Sequence, residues 1–315
     1  MPLSNWLKQC PLPQFARGHF LERSRNRGYS ISMRWTPLLF ITIAYALSIA
    51  LSAFIAFTGR ADSPYISAVF AAMFIPAVAL LLTRASTGEK IGELGFWRLP
   101  LRYLLPALLL IPLASHAAML PTIYVLQGDL PWVDWLTPGA DGLHRTPESR
   151  GWGDIPTAQL AERIALNAGV GLGIVSLLAL FEEIGWRAWL LPRLAHSFGP
   201  IGAVWAVSIV WALWHTPFAF SGIHNVETMS PSQLALIAPL GHIGAGLVLG
   251  WLWLRSQSIW IVSLAHGALN NWGQLAFKYM DGYGQHDAWL LGAQGAALLV
   301  TGLLLLLFAP PKPVA

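Results

Sequence analysis

Three ionisable side chains stand together inside a long apolar stretch, Leu180-Phe181-Glu182-Glu183-Ile184-Gly185-Trp186-Arg187. At the centre of a bilayer each such group costs about 2.5–3.5 kcal/mol on insertion scales. A chain that keeps three of them pairs them, lines a wet cavity with them, or puts them to use. On a helix Glu183 and Arg187 are four apart and share a face, with the glutamate on the N-terminal side, the favourable order for an ion pair. Glu182 is rotated by about 100° from Glu183 and has no partner on its own helix. One carboxylate has a structural explanation and the other does not. The alternative is that the cluster sits at the cytoplasmic interface, where Arg187 and Arg193 reach the headgroups and both glutamates are wet.

Two later segments supply further polar groups. Trp211-Ala-Leu-Trp214-His215 is followed by Thr216-Pro217, whose proline ends or kinks the helix; Trp211 and His215 share a face. His266-Gly-Ala-Leu-Asn270 puts an imidazole and a carboxamide on one face, with Asn271 at the wrong angle. Singly, such residues are common interhelical glue. His116 and His242, with no polar partner four residues away, are assigned to that packing role. Together, a carboxylate, two imidazoles and a carboxamide are the groups needed to deprotonate a water and stabilise a tetrahedral oxyanion.

The elements that must position them are transmembrane helices. Of 315 residues, 55% are hydrophobic and 11% charged, whereas a soluble domain carries roughly a quarter charged. A hydrocarbon core of ~30 Å needs about 20 apolar residues per helix. About eight such runs occur, at 37–58, 65–82, 103–126, 165–191, 201–220, 234–254, 259–277 and 288–308. The first is too long for a signal-peptide core and is followed by Gly59-Arg60, not a small-residue cleavage pattern, so it is read as a retained helix. Sixteen tryptophans suit a surface that crosses two lipid–water boundaries. The single cysteine, Cys10, leaves no intrachain disulfide and no Cys-based metal cluster.

Charge sets the orientation. Lys8, Arg17, Arg23, Arg25, Arg27 and Arg34 against Glu22 keep the N-terminal tail cytoplasmic. Alternate loops agree, with Arg84, Lys90, Arg98 and Arg102 after the second run, then Arg193, Arg255 and Lys312 after the fourth, sixth and eighth. The opposite side holds Asp129, Asp134, Asp141, Glu148 and Asp154, and a loop near Glu227 without Lys or Arg. The expected fold is therefore all-α, a polytopic bundle of about eight transmembrane helices with both termini cytoplasmic. It divides into a basic tail (1–35), N-terminal spans with an acidic outer loop (36–160), a catalytic helical core (161–280), and a last span with a short tail (281–315). The loop over 127–156 reads as a solvated connection. Gly169, Gly171 and Gly173, and Gly246 with Gly250, are expected at close helix contacts. One mismatch stays open. Glu182 and His266 fall near the cytoplasmic ends of their runs, whereas His215 lies about 15 residues, or ~22 Å, into its own.

Glu182-Glu183-x-x-x-Arg187, then x-x-x-His215, then His266-x-x-x-Asn270 resemble, in that order, the CAAX protease and bacteriocin-processing family of intramembrane glutamate endopeptidases. The resemblance covers roughly residues 175–275. The family usually has Phe four residues before the first His; this chain has Trp211, which keeps the aromatic character. The resemblance implies Glu182 as general base, with His215 helping to hold the water. It implies His266 and Asn270 to orient that water or stabilise the oxyanion, and Glu183 with Arg187 as support. It further implies an integral, multi-pass location (the plasma membrane in a prokaryote), a peptide or lipidated-protein substrate, contact with membrane lipid, and neither cofactor, metal nor nucleic acid. Two other readings stay open. Glu182, His215 and His266 are the ligand types of a zinc protease, although the His-Glu-x-x-His helix is absent. Polar groups at mid-bilayer also serve transporters and membrane scaffolds or immunity proteins, although no repeat relates the two halves.

Overall fold

With no water in the hydrocarbon to satisfy peptide groups, each apolar run closes its hydrogen bonds within itself, and that dictates helices. A computed structural model describes residues 32–128, 142–144, 155–222, 229–274 and 286–310. The basic tail to residue 31, the acidic positions Asp129, Asp134, Asp141, Glu148, Asp154 and Glu227, and Lys312 lie outside them.

Helix α1 is Ser32–Phe57. A 3₁₀ run, Ile66–Phe74, leads into α2, Ile75–Thr87, which ends where Gly88 turns left-handed and returns its N–H to the Arg84 carbonyl. Helix α3, Leu104–Gln127, carries Pro112 and Pro121 internally. The next helical stretch joins α4 (Thr157–Leu166), a π-turn (Asn167–Gly171), α5 (Leu172–Glu183), a second π-turn (Ile184–Leu190) and α6 (Leu191–His215). Helix α7, Pro231–Ser256, starts at a capping box of Ser230 with Gln233. Helix α8, Ile259–Asn270, starts at Ser258, whose hydroxyl accepts from the Ile261 N–H. Helix α9 is Asp287–Phe308. Extended structure among the described residues is a two-residue antiparallel ladder, Leu143–His144 against Ile155–Pro156.

Among the described residues, six helical stretches are long and apolar enough to cross a membrane. Their outward faces are apolar, with Leu38, Ile49, Leu105, Leu113, Ile174 and Leu304 exposed, while Glu182, Glu183 and Arg187 are buried. That inversion of the water-soluble pattern belongs to an integral, multi-pass membrane protein of all-α architecture. The expected eight runs are apportioned differently. The stretch Ala158–Phe220 has 63 residues, about 95 Å if straight, and holds two of the runs because it breaks at Gly199 (φ 69°, ψ 168°). The seventh run is helical for only the 12 residues of α8, about 18 Å, before the 3₁₀ turn Trp272–Gln274.

The loops after the second, fourth, sixth and eighth runs meet at one end. Arg193 clasps Glu89 (Nη2–Oε1 2.7 Å), Ser258 Oγ donates to the Arg98 carbonyl (2.5 Å) and Trp260 Nε1 to that of Phe96 (2.9 Å). Arg255 Nη1 donates to the Pro310 carbonyl (2.9 Å). At the other end Ser52 Oγ donates to the Pro217 carbonyl (2.6 Å).

Of these long stretches α7 is the most enclosed, with half of its apolar window buried, packed on α6 and α9, while α8 packs on α5 and α3. Small residues permit these approaches. A Cβ on Gly246 would fall 3.0 Å from Ser208 Cα, and one on Gly250 2.7 Å from Val204 Cγ1, so this pair meets its expected role. Of the three early glycines only Gly171 is crowded, against Asn167 and Asn271; Gly169 and Gly173 have nothing within 4 Å on that side. Gly267 faces Ser176 on α5, and a Cβ there would overlap the hydroxyl and stand 2.8 Å from Ser176 Cα. Gly267→Ala is accordingly expected to push α8 off α5 and to lower stability by about 1–3 kcal/mol. Thermal unfolding in detergent measures it; an unchanged melting temperature would refute so tight a seam.

Candidate active site

Glutamate 183 closes α5, and the π-turn that follows brings Arg187 over it: Arg187 Nη1 donates to Glu183 Oε1 at 2.8 Å. Both side chains are fully buried. The same oxygen accepts from His266 Nδ1 on α8, also at 2.8 Å. Glu183 is thus the anchor of a buried cation and an imidazole on two helices. Because Nδ1 of His266 is committed to the carboxylate, its Nε2 is the nitrogen left for other chemistry.

Glutamate 182 faces another way. Its Oε2 accepts from the indole Nε1 of Trp211 on α6 at 2.9 Å, and Oε1 receives no hydrogen bond from the described residues. Trp211 is fully buried and forms the hub of the cluster. The Arg187 guanidinium lies over its ring, 4.4 Å from the centroid. Three imidazoles meet it edge to face, those of His215 (4.9 Å), His266 (5.3 Å) and His242 (5.5 Å). His215 and His242 stack on one another at 4.2 Å and line a small cavity with Ala212, Ala219, Ala238 and Pro239.

The mismatch of depth disappears in this geometry. The helix bearing Glu182 does not stop at residue 191 as hydropathy suggests; it runs on to Gly199, where the chain turns back. The reversal therefore lies about six residues, or ~9 Å, beyond Arg193, the residue that marks the loop end of the bundle through Glu89. The fifth span begins below that level, and Trp211 arrives beside Glu182.

Of the residues singled out from sequence, Glu182, Glu183, Arg187, His215 and His266 gather around Trp211. Asn270 is half-buried one turn beyond His266 and makes no hydrogen bond to either glutamate. Asn271 is structural, its Nδ2 donating to the Asn167 carbonyl (2.9 Å) across to the first π-turn. His116 bonds the Pro112 carbonyl on its own helix (2.8 Å). His242, read as a packing residue, packs its ring against Trp211 and His215 within the cluster. A signal for it existed: His242, Gly246 and Gly250 are spaced by four, so the histidine shares the glycine face that packs on α6. Among the described residues no three His, Cys, Asp or Glu side chains are grouped to hold a metal ion, so Glu182, His215 and His266 do not converge as a zinc triad.

Residues 165–272 match the family described as Type II CAAX prenyl endopeptidase Rce1-like. Among curated proteins, CAAX prenyl protease 2 of Methanococcus maripaludis is 28% identical over 105 residues, 33% of this chain and 39% of that protein. The chain thus matches about two fifths of that relative's length. Glu182, Trp211, His215, His242, His266 and Asn270 all fall inside the matched segment, whereas α1 to α3 and α9 fall outside it.

Proposed function

We propose, from the match of residues 165–272 to the type II CAAX prenyl endopeptidase family, that this membrane protein is an endopeptidase in which Glu182 activates water. The observation that carries the reading is the division of labour between the adjacent glutamates. Glu183 Oε1 is taken by Arg187 and His266, while Glu182 holds one indole hydrogen bond and keeps an oxygen for a water. In the proposed reaction Glu182 removes a proton from a water held with His215 as its oxygen attacks the scissile carbonyl. Asn270 donates to the oxyanion that forms, and His266 joins it through Nε2 when the ring carries both N–H groups. Glu182 then passes its proton to the departing amine, and the C–N bond breaks. Glu183, itself held by Arg187, fixes the orientation of the His266 ring through Nδ1. The basic end of the bundle, where Arg98, Arg193 and Arg255 lie, is proposed to be cytoplasmic.

The substrate class follows from the family: a prenylated protein or peptide, presented from the lipid that the exposed apolar faces contact. The test uses an S-farnesylated peptide ending in Cys, two aliphatic residues and a final residue. Purified protein in nanodiscs is expected to release the C-terminal tripeptide, to do so equally in chelator, and to cut the unprenylated peptide at least about tenfold more slowly. No tripeptide from folded protein would sink the reading; loss of activity in chelator, restored by zinc, would favour the metal-dependent alternative.

A further inference from the structure

A glutamate side chain turns about several bonds, and a general base works only when its oxygen stands within hydrogen-bond reach of the proton it takes. Glu182 lies one residue before the end of α5, where the α-helix gives way to the π-turn. Its hydrogen bond comes from another helix: Trp211 Nε1, on α6, donates to Oε2 at 2.9 Å. An indole nitrogen is a donor only, so this bond has a single direction. The indole itself has little freedom. It is fully buried, the Arg187 guanidinium covers its face at 4.4 Å, and the His266 ring of α8 meets it edge to face at 5.3 Å. The packing of α5, α6 and α8 therefore sets where the N–H points, and the more flexible carboxylate is tied to it. Phe, the usual residue at this point in the family that the segment resembles, would fill the same place with a ring but supply no donor.

We propose that Trp211 is a positioning residue for the base: by holding Oε2 it fixes the plane of the Glu182 carboxylate and turns Oε1 toward the attacking water. The proposal rests on the reading of Glu182 given above. The same bond serves both halves of the proton cycle. Oε2 already faces the indole hydrogen, so the proton taken from water goes to Oε1, and from Oε1 it passes to the departing amine. Without the N–H the carboxylate spreads over several rotamers, and a smaller share of molecules holds an oxygen in line with the water.

The experiment replaces Trp211 by benzothienylalanine, whose sulfur stands where the indole has its N–H, so that the bicyclic ring stays and the donor goes. On the S-farnesylated peptide in nanodiscs kcat is expected to fall about ten- to a hundredfold, the worth of a hydrogen bond to a charged group, with KM changed by less than about twofold. The same replacement in the Glu182→Gln protein, followed with enzyme in excess over peptide, is expected to leave the residual rate within about twofold, because no base remains to be positioned. An unchanged kcat in the Glu182 protein would overturn the proposal, and so would an equal loss in both backgrounds, which would make Trp211 a packing residue. Should the replaced protein not fold, NMR of indole-labelled protein supplies the measurement. The Trp211 indole proton is expected to lie further upfield in Glu182→Gln than in wild type, because a neutral carboxamide accepts more weakly than a carboxylate; one position in both would overturn the proposal. Unchanged kcat in the replaced protein together with an inactive Glu182→Gln protein removes this proposal alone; an active Glu182→Gln protein removes the reading beneath it.

Discussion

Glu182→Gln is expected to lower kcat for the farnesylated peptide by about 10³- to 10⁴-fold, the upper part of what a positioned general base supplies. The carboxamide is isosteric and can still accept from the Trp211 indole, so the hub remains packed and folding stability should shift by less than about 1 kcal/mol. What the variant lacks is a group able to take a proton from water and return it to the leaving amine. KM should move little, because substrate binding is not asked of this side chain. Activity and unfolding are to be measured on the same preparation. A variant that keeps more than about a tenth of the wild-type rate would place the base elsewhere.

Arg187→Ala is expected to act in the opposite way, through the fold. The guanidinium lies fully buried between the Glu183 carboxylate and the face of Trp211, at 2.8 Å and 4.4 Å. Removing it leaves a buried carboxylate facing His266 alone and opens a cavity beneath the hub; breaking one side of a buried pair costs about 3–5 kcal/mol. Arg187→Lys should recover only part, since an ammonium cannot spread over the indole as a planar guanidinium does. Glu183→Gln combined with Arg187→Met, which removes both charges, should be more stable than Arg187→Ala. Equilibrium unfolding in mixed micelles measures all three. Equal stability of wild type and Arg187→Ala would show the pair to be idle.

How far these expectations could be drawn before any coordinates follows from the kind of signal each residue left. The i, i+4 spacing paired Glu183 with Arg187 and singled out Glu182, and the structure keeps that division. The same spacing on α7, read only for its glycines, also carried His242. Its assignment to packing could not name a partner, because His215 is on another helix and periodicity within one helix says nothing about the face opposite. The role of Trp211 is hidden for the same reason: its indole hydrogen bond crosses to Glu182, 29 positions away.

Sequence by itself determined that the chain must be a bundle of membrane helices, because apolar runs of that length have no other way to satisfy their peptide groups. It also determined which polar side chains were too costly to be incidental. Only the tertiary structure decided where the fourth run ends and turns, at Gly199, and so brought Trp211 level with Glu182. It alone decided that His266 binds Glu183 and not Glu182, and that two histidines stack. The physical reason is that hydropathy fixes how much of a helix sits in lipid, whereas its depth, rotation and neighbours are set by interhelical packing, which no single segment encodes.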